Sequence, residues 1–486
     1  MKKYDVIVVG GGAAGMMAAI AAAKEGAKTA LLEKNEKLGK KIYITGKGRC
    51  NLTNACETEE FFSAINTNAK FMYSSLYTLT NFQTIELFQE WGLSTKVERG
   101  NRVFPVSDKS SDVIQCLGKE CKRSGVDIHL NTPCQQILYD HDTACAVRTA
   151  DELWQTDSII LATGGLSYPS TGSTGDGIRF AKKSGHRIIS CRPALVPMNV
   201  KESDAMQMQG LSMKNVEMSF YVEKENGKKQ KIYRDFGEMM FTHFGITGPI
   251  VLSASHEVGK RLENDKIYAI LDCKPALSEE KLDKRLVRDF EESPNTSLKN
   301  CLGKLLPKSM IPVVLKRTSL NGGAAVNQIT KTERHRLVSE IKGMRFTIPS
   351  LRDWKEAIIT SGGVSVKDID PSTMESKKIK NLYFAGEMID VDAMTGGYNL
   401  QIAWSTGYLA GRSAAEKSKE RKEYRSYEYR SRRPGRSREK FNRQIGGKKI
   451  IICLLGYRCN VPYHRTVCIE KPNCAIRRSG SCRQTG

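Results

Sequence analysis

The sequence lacks several features that would point to other classes of protein. It contains no run of about 18 to 20 apolar residues, the length that a helix needs to span a bilayer. The apolar stretch after Lys2 and Lys3 is not followed by a small-residue cleavage site, so it does not resemble a signal peptide. The five cysteines after residue 450 form no C-x-x-C pair, which disfavours a zinc site. We therefore expect a soluble, cytoplasmic protein with no membrane partner, no metal and mostly reduced, partly buried cysteines.

The positive charge is unevenly distributed along the chain. Of a net charge of +23, residues 416–486 carry 20 Lys and Arg against 6 Asp and Glu, whereas residues 1–415 carry 56 against 47. The basic tail, with its interleaved Tyr, could be an RNA-binding arm, a disordered extension or a shifted reading frame. Because it shows no clear period after residue 450, we expect residues 416–486 to be disordered or frame-shifted.

One strand–turn–helix at the start of the chain organises the rest. Residues 5–9 form a short β-branched apolar run typical of a buried parallel strand, and residues 16–25 are rich in Ala and Met, as in a helix. The turn between them is a G-x-G-x-x-G. Residues 29–32 predict a second strand. This order predicts a bound dinucleotide, because the free N–H groups at the helix N-terminus attract phosphates.

Each position of this motif has a physical task. Gly10 permits the tight turn, Gly12 lets a pyrophosphate approach the backbone because it has no Cβ, and Gly15 lets the helix pack closely on the strand. Glu33, at the end of the second strand, can accept hydrogen bonds from both hydroxyls of an adenosine ribose. The motif alone does not separate FAD from NAD.

Two later segments extend the nucleotide-binding pattern. An apolar strand over residues 158–161 runs into Ala162, Thr163 and Gly164, which is typical of two-dinucleotide-binding flavoproteins. A strand near residue 382 leads to Glu387, whose carboxylate can hold ribityl hydroxyls. The helix that follows, predicted to end at Ala415, can direct its positive N-terminus at the pyrimidine edge of a flavin.

Other segments do not fit a nucleotide-binding domain. Residues 39–54 are rich in Gly, Lys and Asn, and they form either a loop around the cofactor or a solvated basic loop. Residues 61–91 predict a helix. Residues 216–241 are hairpin-like and residues 278–320 are charged and helix-prone. We expect the unit that contains these last two segments to shape a substrate cleft.

Four stretches taken together resemble one bacterial family of FAD-dependent enzymes. They are residues 10–33, 46–54, 242–249 and 386–401. The family comprises aminoacetone oxidase family FAD-binding enzymes, also described as NAD(P)/FAD-dependent oxidoreductases, and it includes 3-dehydro-bile acid Δ4,6-reductases and ribosomal RNA dihydrouridine synthases. The resemblance extends from residue 1 to about residue 415.

The resemblance implies an α/β fold, with a Rossmann-like two-dinucleotide-binding FAD domain split by an inserted β-rich plus helical domain. Residues 1–190 and 351–415 would form the FAD domain, residues 191–350 the inserted domain, and residues 416–486 the tail. The implied FAD contacts are Gly10, Gly12, Ala13, Ala14, Gly15, Glu33, Lys34, Lys40, Lys41, Ala162, Thr163, Gly164, Glu387, Asn399 and Leu400.

Ala393 stands where the family pattern has glycine, which would stiffen its loop. Because no second G-x-G-x-x-G exists, NAD(P)H would visit the flavin transiently as reductant, or another protein would supply electrons.

The activities implied by the resemblance reduce a carbon–carbon double bond that a carbonyl activates. Such a reaction needs a hydride and a protein acid. Cys50 could be the proton donor or a small buried residue beside the cofactor. His243 could be a donor, a carbonyl-polarising group or a structural hydrogen-bonding residue at the domain seam.

Several functions compatible with this chemistry stay open. A small-molecule enone of the steroid type is the leading substrate. The alternatives are uridine in ribosomal RNA, with that RNA as partner, an FAD-dependent amine oxidase, and an RNA-binding flavoprotein that senses redox state without turnover. The oligomeric state is also left open.

Overall fold

A computed structural model describes residues 2–224, 228–431, 442–445 and 448–451 of the chain. One compact unit takes in Met1–Arg421, and a second takes in Lys422–Gly486. In the second unit, two short strands, residues 442–445 and 448–451, pair antiparallel. The other residues after 431, which include the five cysteines of the tail predicted to be disordered or frame-shifted, lie outside the described residues. Within the described part of the chain, no helix combines the length and apolarity needed to cross a membrane.

The first part of the chain alternates strands and helices. The strands are β1 (Lys2–Val9), β2 (Thr29–Leu32), β3 (Thr53–Asn54), β4 (Ile65–Thr67), β5 (Thr95–Glu98), β6 (Arg102–Pro105), β7 (Asp127–His129), β8 (Gln136–Asp140), β9 (Thr143–Arg148), β10 (Leu153–Leu161) and β11 (Ile188–Ala194). The helices are α1 (Ala13–Lys24), α2 (Lys40–Ile44), α3 (Thr58–Ser63), α4 (Tyr73–Thr78), α5 (Asn81–Glu90), α6 (Ser110–Arg123) and α7 (Asp176–Lys183). The predicted strand–turn–helix–strand at the start of the chain is confirmed.

The middle and last parts contain the remaining elements. The middle part has β12 (Met198–Asn199), β13 (Ser212–Glu223), β14 (Lys229–Phe241), β15 (Gly245–Thr247), β16 (Lys266–Asp272) and β17 (Met344–Ile348), with α8 (Asp204–Gln207), α9 (Pro249–Gly259), α10 (Glu279–Glu291), α11 (Leu298–Leu302), α12 (Ile311–Thr318) and α13 (Lys331–Gly343). The last part has β18 (Ile359–Val364), β19 (Leu382–Phe384), β20 (Asp392–Ala393), α14 (Tyr398–Ser431), β21 (Asn442–Ile445) and β22 (Lys448–Ile451).

A mainly parallel sheet positions the ends of four strands at one edge. Its strands run in the order β7-β2-β1-β10, β19 pairs with the other side of β10, and β9 and β8 extend the sheet antiparallel. Val9 lies opposite both Leu32 and Leu161, and Leu161 lies opposite Phe384. Because parallel strands end at the same edge, the segments after β1, β2, β10 and β19 meet there. This architecture confirms the predicted α/β, Rossmann-like fold class.

The middle part builds a separate sheet with its own core. The strand order is β12-β15-β14-β13-β16-β17, and all of the pairings are antiparallel. Phe220, Phe241 and Phe346 are fully buried in a core that these strands share with helices α9 to α13. The antiparallel sheet leaves one face for water, which agrees with the alternation of buried and exposed residues along β13.

Two glycines bring α14 unusually close to α1. A Cβ on Gly407 would lie 2.3 Å from the carbonyl oxygen of Ala14, and a Cβ on Gly411 would lie 2.2 Å from that of Ala18. Neither distance is possible for a real side chain, so the helices can approach this closely only because both positions are glycine. Trp404, on the same helix, is fully buried and donates its indole N–H to Leu52 O over 2.9 Å.

The structure corrects two of the predicted helices. Residues 61–91 form three α-helices, a short 3₁₀ helix (Ala69–Met72) and β4 instead of one helix, because Asn68 adopts a left-handed conformation (φ 56°) and Thr80 caps the start of α5. Helix α14 does not end at Ala415 but continues to Ser431. The Lys-, Glu- and Arg-rich sequence after Ala415 favours continued helix because these residues have high helix propensity.

Candidate active site

A pocket lies at the edge of the parallel sheet where the strand ends meet. Of the fifteen residues predicted to contact FAD, the structure brings fourteen to its lining: Gly10, Gly12, Ala13, Ala14, Glu33, Lys34, Lys40, Lys41, Ala162, Thr163, Gly164, Glu387, Asn399 and Leu400. Gly15 lies beneath the lining, where a Cβ would come within 1.8 Å of Gly10 O.

The glycine turn leaves a cradle that fits a pyrophosphate. A Cβ built on Gly12 would meet no atom within 4 Å, so this position faces open space in the pocket. Gly12 is also the N-cap of α1, and no side chain caps the helix there. The uncapped N–H groups and the helix dipole favour an anion at this point. The residues present therefore fit the diphosphate of a dinucleotide.

Glu33 is held firmly at the second strand end. Its carboxylate accepts hydrogen bonds from the backbone N–H of Gly11 (2.6 Å) and of Asn35 (2.8 Å) and from the Asn35 side-chain amide (2.7 Å), and Glu33 is buried. A carboxylate has about four acceptor positions, so capacity remains for a ribose hydroxyl. The neighbouring Lys34 pairs with Asp176 over 2.7 Å and so ties β2 to α7.

A lysine–glutamate pair lies in the pocket. The Nζ of Lys41 contacts the Glu387 carboxylate directly and lies 2.5 Å from Ser167 Oγ. Glu387 also accepts hydrogen bonds from Ser167 Oγ (2.7 Å) and Thr360 N (2.8 Å). Burial alone would raise the pKa of the Glu387 carboxyl, but Lys41 and these hydrogen bonds outweigh burial and lower that pKa. The pocket therefore holds an ionised carboxylate whose negative charge is balanced by the neighbouring Lys41 ammonium group.

Asn399 shapes the loop that leads into α14. Its amide accepts a hydrogen bond from Ala393 N (3.0 Å) and donates to Ala393 O (2.9 Å) and Met394 O (3.1 Å). Ala393 itself lies in the strand β20, so the alanine in place of glycine needs no left-handed conformation. The N-terminus of α14 is thus fixed beside the pocket.

The structure does not bring the two predicted catalytic residues to the pocket lining. Cys50 is fully buried in the main core, and burial raises the pKa of its thiol to about 12. This placement favours a structural role over that of a proton donor. His243 is exposed in the turn between β14 and β15, with its ring edge-on to Phe244 at 4.9 Å.

Sequence reasoning missed a buried histidine–aspartate pair. His256 on α9 and Asp392 on β20 have side chains that are 2% and 1% exposed, and Nδ1 lies 3.0 Å from Oδ1. Burial would raise the pKa of Asp392, but His256, Ser361 and Thr67 together lower it. No local pattern could have revealed the pair, because the two residues lie far apart in the sequence. The sequence held one weak signal of the pair, which is that His256 lies among apolar residues of α9.

The family described as HI0933-like protein Rossmann domain matches residues 4–413 of this chain. The chain belongs to the HI0933-like family. A 3-dehydro-bile acid delta(4,6)-reductase from Clostridium scindens is 32% identical over 413 residues, which cover 84% of this HI0933-like chain and 98% of the reductase. Ribosomal RNA dihydrouridine synthases from Haemophilus influenzae and Escherichia coli are 30% and 28% identical, each over 84% of this chain and 97% of the relative. The predicted resemblance is confirmed, and the HI0933-like chain is an FAD-binding flavoprotein oxidoreductase.

Proposed function

We propose that this HI0933-like chain is an FAD-dependent reductase of carbon–carbon double bonds conjugated to a carbonyl, with a small 3-oxo enone as substrate and NAD(P)H as transient reductant. The observation that carries the proposal is the similarity to the Clostridium scindens reductase, which spans 98% of that protein at 32% identity. Bound FAD, once reduced, supplies the hydride.

The chain's own residues hold and orient the cofactor in this proposal. The Gly12 cradle and the N-terminus of α1 bind the diphosphate, and Glu33 accepts a ribose hydroxyl. Glu387, kept ionised by Lys41, accepts hydroxyls of the ribityl chain. The N-terminus of α14, where Asn399 fixes the loop, stabilises negative charge at the ring end.

The first test is a single turnover without oxygen. The purified holoenzyme is reduced chemically and mixed with a 3-oxo-Δ4,6 steroid. We expect the flavin absorbance to return in proportion to the steroid added, because each double bond accepts one hydride and one proton. The saturated 3-oxo steroid is the matched control and should leave the flavin reduced. A flavin that stays reduced with the dienone as well would contradict the proposed substrate.

Reduction of uridine in ribosomal RNA is the second candidate, and one surface favours it. On the outer face of the middle sheet, Tyr221 and Tyr268 stack with centroids 5.5 Å apart at 10°. Lys229 and Lys231 are exposed beside them, and Arg345 lies 4.1 Å from the Tyr268 ring. The exposed cations suit contact with the phosphates of RNA, whereas the Tyr268 ring is buried beneath them.

The charge-reversal variant Lys229→Glu/Lys231→Glu tests this second candidate. If the outer face binds ribosomal RNA, the variant should bind a fluorescent RNA fragment at least about tenfold more weakly, with a smaller salt dependence, because phosphate contacts are lost. Lys182→Glu/Lys183→Glu on α7 is the control, since it makes the same charge change elsewhere. Equal binding by both variants would argue against this face. Unchanged dihydrouridine in the ribosomal RNA of a deletion strain would rule out the second candidate.

A further inference from the structure

A buried polar segment, residues 52–54, lies at the end of the Gly-, Lys- and Asn-rich stretch. Thr53 and Asn54 form β3, and the two residues are 0% and 1% exposed. Thr53 lies opposite Val103 of β6, and Leu52 N donates a hydrogen bond to Val103 O over 2.8 Å. This end of the stretch is therefore part of a sheet and not a solvated loop.

Thr53 connects this segment to the first turn of α14. Its Oγ1 donates a hydrogen bond to Oε1 of Gln401 over 2.7 Å, and Gln401 is also completely buried. The Nε2 of Gln401 donates to Leu79 O (3.1 Å) and to Thr84 Oγ1 (2.8 Å). Because these bonds are buried, water cannot replace a lost partner, and the Thr53 hydroxyl helps to fix the Gln401 side chain.

Asn54 holds the turn that leads into α14. Its Nδ2 donates to Gly396 O and to Gly100 O, each over 3.0 Å. Gly397, the last residue before the helix, has φ 98°, and a Cβ there would lie 2.4 Å from Thr53 O. The turn can therefore approach β3 this closely only because this residue is glycine.

The start of α14 has one side on the pocket and another side on residues 52–54. On the second side, Gln401 bonds to Thr53, and Trp404 donates its indole N–H to Leu52 O over 2.9 Å. Gln401 and Trp404 are three residues apart and so lie on the same face of the helix. The residues of α14 that line the pocket are Asn399, Leu400, Ile402 and Ala403. A movement of the face bonded to residues 52–54 therefore moves this wall of the pocket.

The position of the helix start determines its electrostatic effect in the pocket. The partial positive charge of a helix is concentrated at its N-terminus, and its influence falls off within about one turn. Its stabilisation of negative charge on a reduced flavin ring therefore depends on where the first turn is held. Thr53, Asn54 and Gln401 carry no charge, so they can change this effect only by setting the position of the helix.

We propose that Thr53 and Asn54 are positioning residues that hold the first turn of α14 against the flavin and thereby raise the midpoint potential of the bound FAD. The inference rests on the proposed function for the placement of the flavin ring beside α14. It gives residues 52–54 a task behind the pocket wall, where they act through the helix and not on the substrate.

Thr53→Val in the full-length holoenzyme tests this inference. Valine has nearly the volume of threonine but lacks the hydroxyl, so Gln401 Oε1 loses its donor. We expect the reduced flavin to be bound about tenfold less favourably relative to the oxidised flavin, which lowers the midpoint potential by about 30 mV for a two-electron couple. Thr53→Ser keeps the hydroxyl and should have a potential close to that of wild type.

Thr156→Val is the matched control for this measurement. It removes another buried hydroxyl, whose partners Asp5 O (3.1 Å) and Ser158 O (2.9 Å) lie outside α14. Its midpoint potential should equal that of wild type. A role of Thr53 that is only structural would lower the thermal midpoint of both valine variants and leave both potentials unchanged.

A second readout needs no substrate. Hydrogen exchange of the backbone amides of residues 401–406 should be at least about tenfold faster in Thr53→Val than in wild type or Thr156→Val. An unchanged potential or an unchanged exchange rate in Thr53→Val would overturn the inference. If that variant purifies without FAD, its exchange rate is compared with that of FAD-stripped wild type and decides alone. A wild-type enzyme that ignores the dienone would refute the proposed substrate and leave both of these readouts intact.

Discussion

Gly15→Ala protein is expected to purify almost free of FAD. A Cβ at this position would lie 1.8 Å from Gly10 O, a backbone atom that cannot rotate away. Helix α1 must therefore move off the turn after β1, and the movement carries the uncapped N–H groups away from the diphosphate position. We expect FAD affinity to fall at least about a hundredfold, because charge-assisted contacts at a helix N-terminus and the close packing are lost together.

Two other glycines provide controls for this prediction. Gly118, on α6, has open space around its Cβ position, so Gly118→Ala should retain FAD and gain about 0.5 to 1 kcal/mol of stability. Gly12→Ala should preserve the fold, because its Cβ meets no protein atom, but it should weaken FAD binding by occupying the cradle. FAD content per chain and the thermal midpoint are measured for all three. Stoichiometric FAD in Gly15→Ala would refute the assignment of the turn.

Lys41→Met is expected to destabilise the protein by about 3 kcal/mol at neutral pH. It leaves the Glu387 carboxylate, a partly buried charge, without its cation, and uncompensated charges of this kind are costly. In wild type the pKa of Glu387 is lowered, so the stability that this group contributes is present above the unfolded-state pKa of about 4.3 and is lost as pH falls through the folded-state value. Without Lys41 that pKa rises, so the cost of the variant should grow with increasing pH.

Urea unfolding of the variants at about pH 5 and pH 8 measures this effect. Lys41→Met/Glu387→Gln should recover much of the lost stability, since both charges are then removed. Lys304→Met is the matched control: Lys304 lies outside the pocket lining and makes an exposed 3.4 Å pair with Glu292, so a change within about 0.5 kcal/mol is expected. Equal losses for Lys304→Met and Lys41→Met would show that the buried pair contributes nothing specific.

The parts of the fold that sequence predicted are those set by local pattern. Strands β1 and β2, helix α1 and the glycine turn follow each other within the first 33 residues, so their periodicity and turn residues carry enough information. The fourteen pocket residues could be named because the family resemblance extends along both halves of the FAD-binding region. Neither source depends on knowing which distant segments meet.

The features that sequence reasoning missed depend on contacts between distant segments. Strand β4 interrupts a helix-like pattern because Thr67 pairs with Asp392, far along the chain. The same long-range contact places Asp392 beside His256, and no spacing rule connects the two. Sequence left two roles open for Cys50, proton donor or small buried residue, and only the fold shows that it is completely buried. Burial and pairing of this kind follow from tertiary structure and have no local signature.

The close contact between α1 and α14 has a consequence for how the protein is made. Residues 9–14 and the first turns of helix α14, which begins only at Tyr398, both line the pocket. Gly407 and Gly411 can seat against Ala14 and Ala18 only after that helix has been synthesised. For most of translation, the nascent chain therefore lacks the part of the cofactor site that α14 contributes. Capture of FAD therefore requires helix α14, which is synthesised after residues 9–14, so maturation of the new chain depends on that helix.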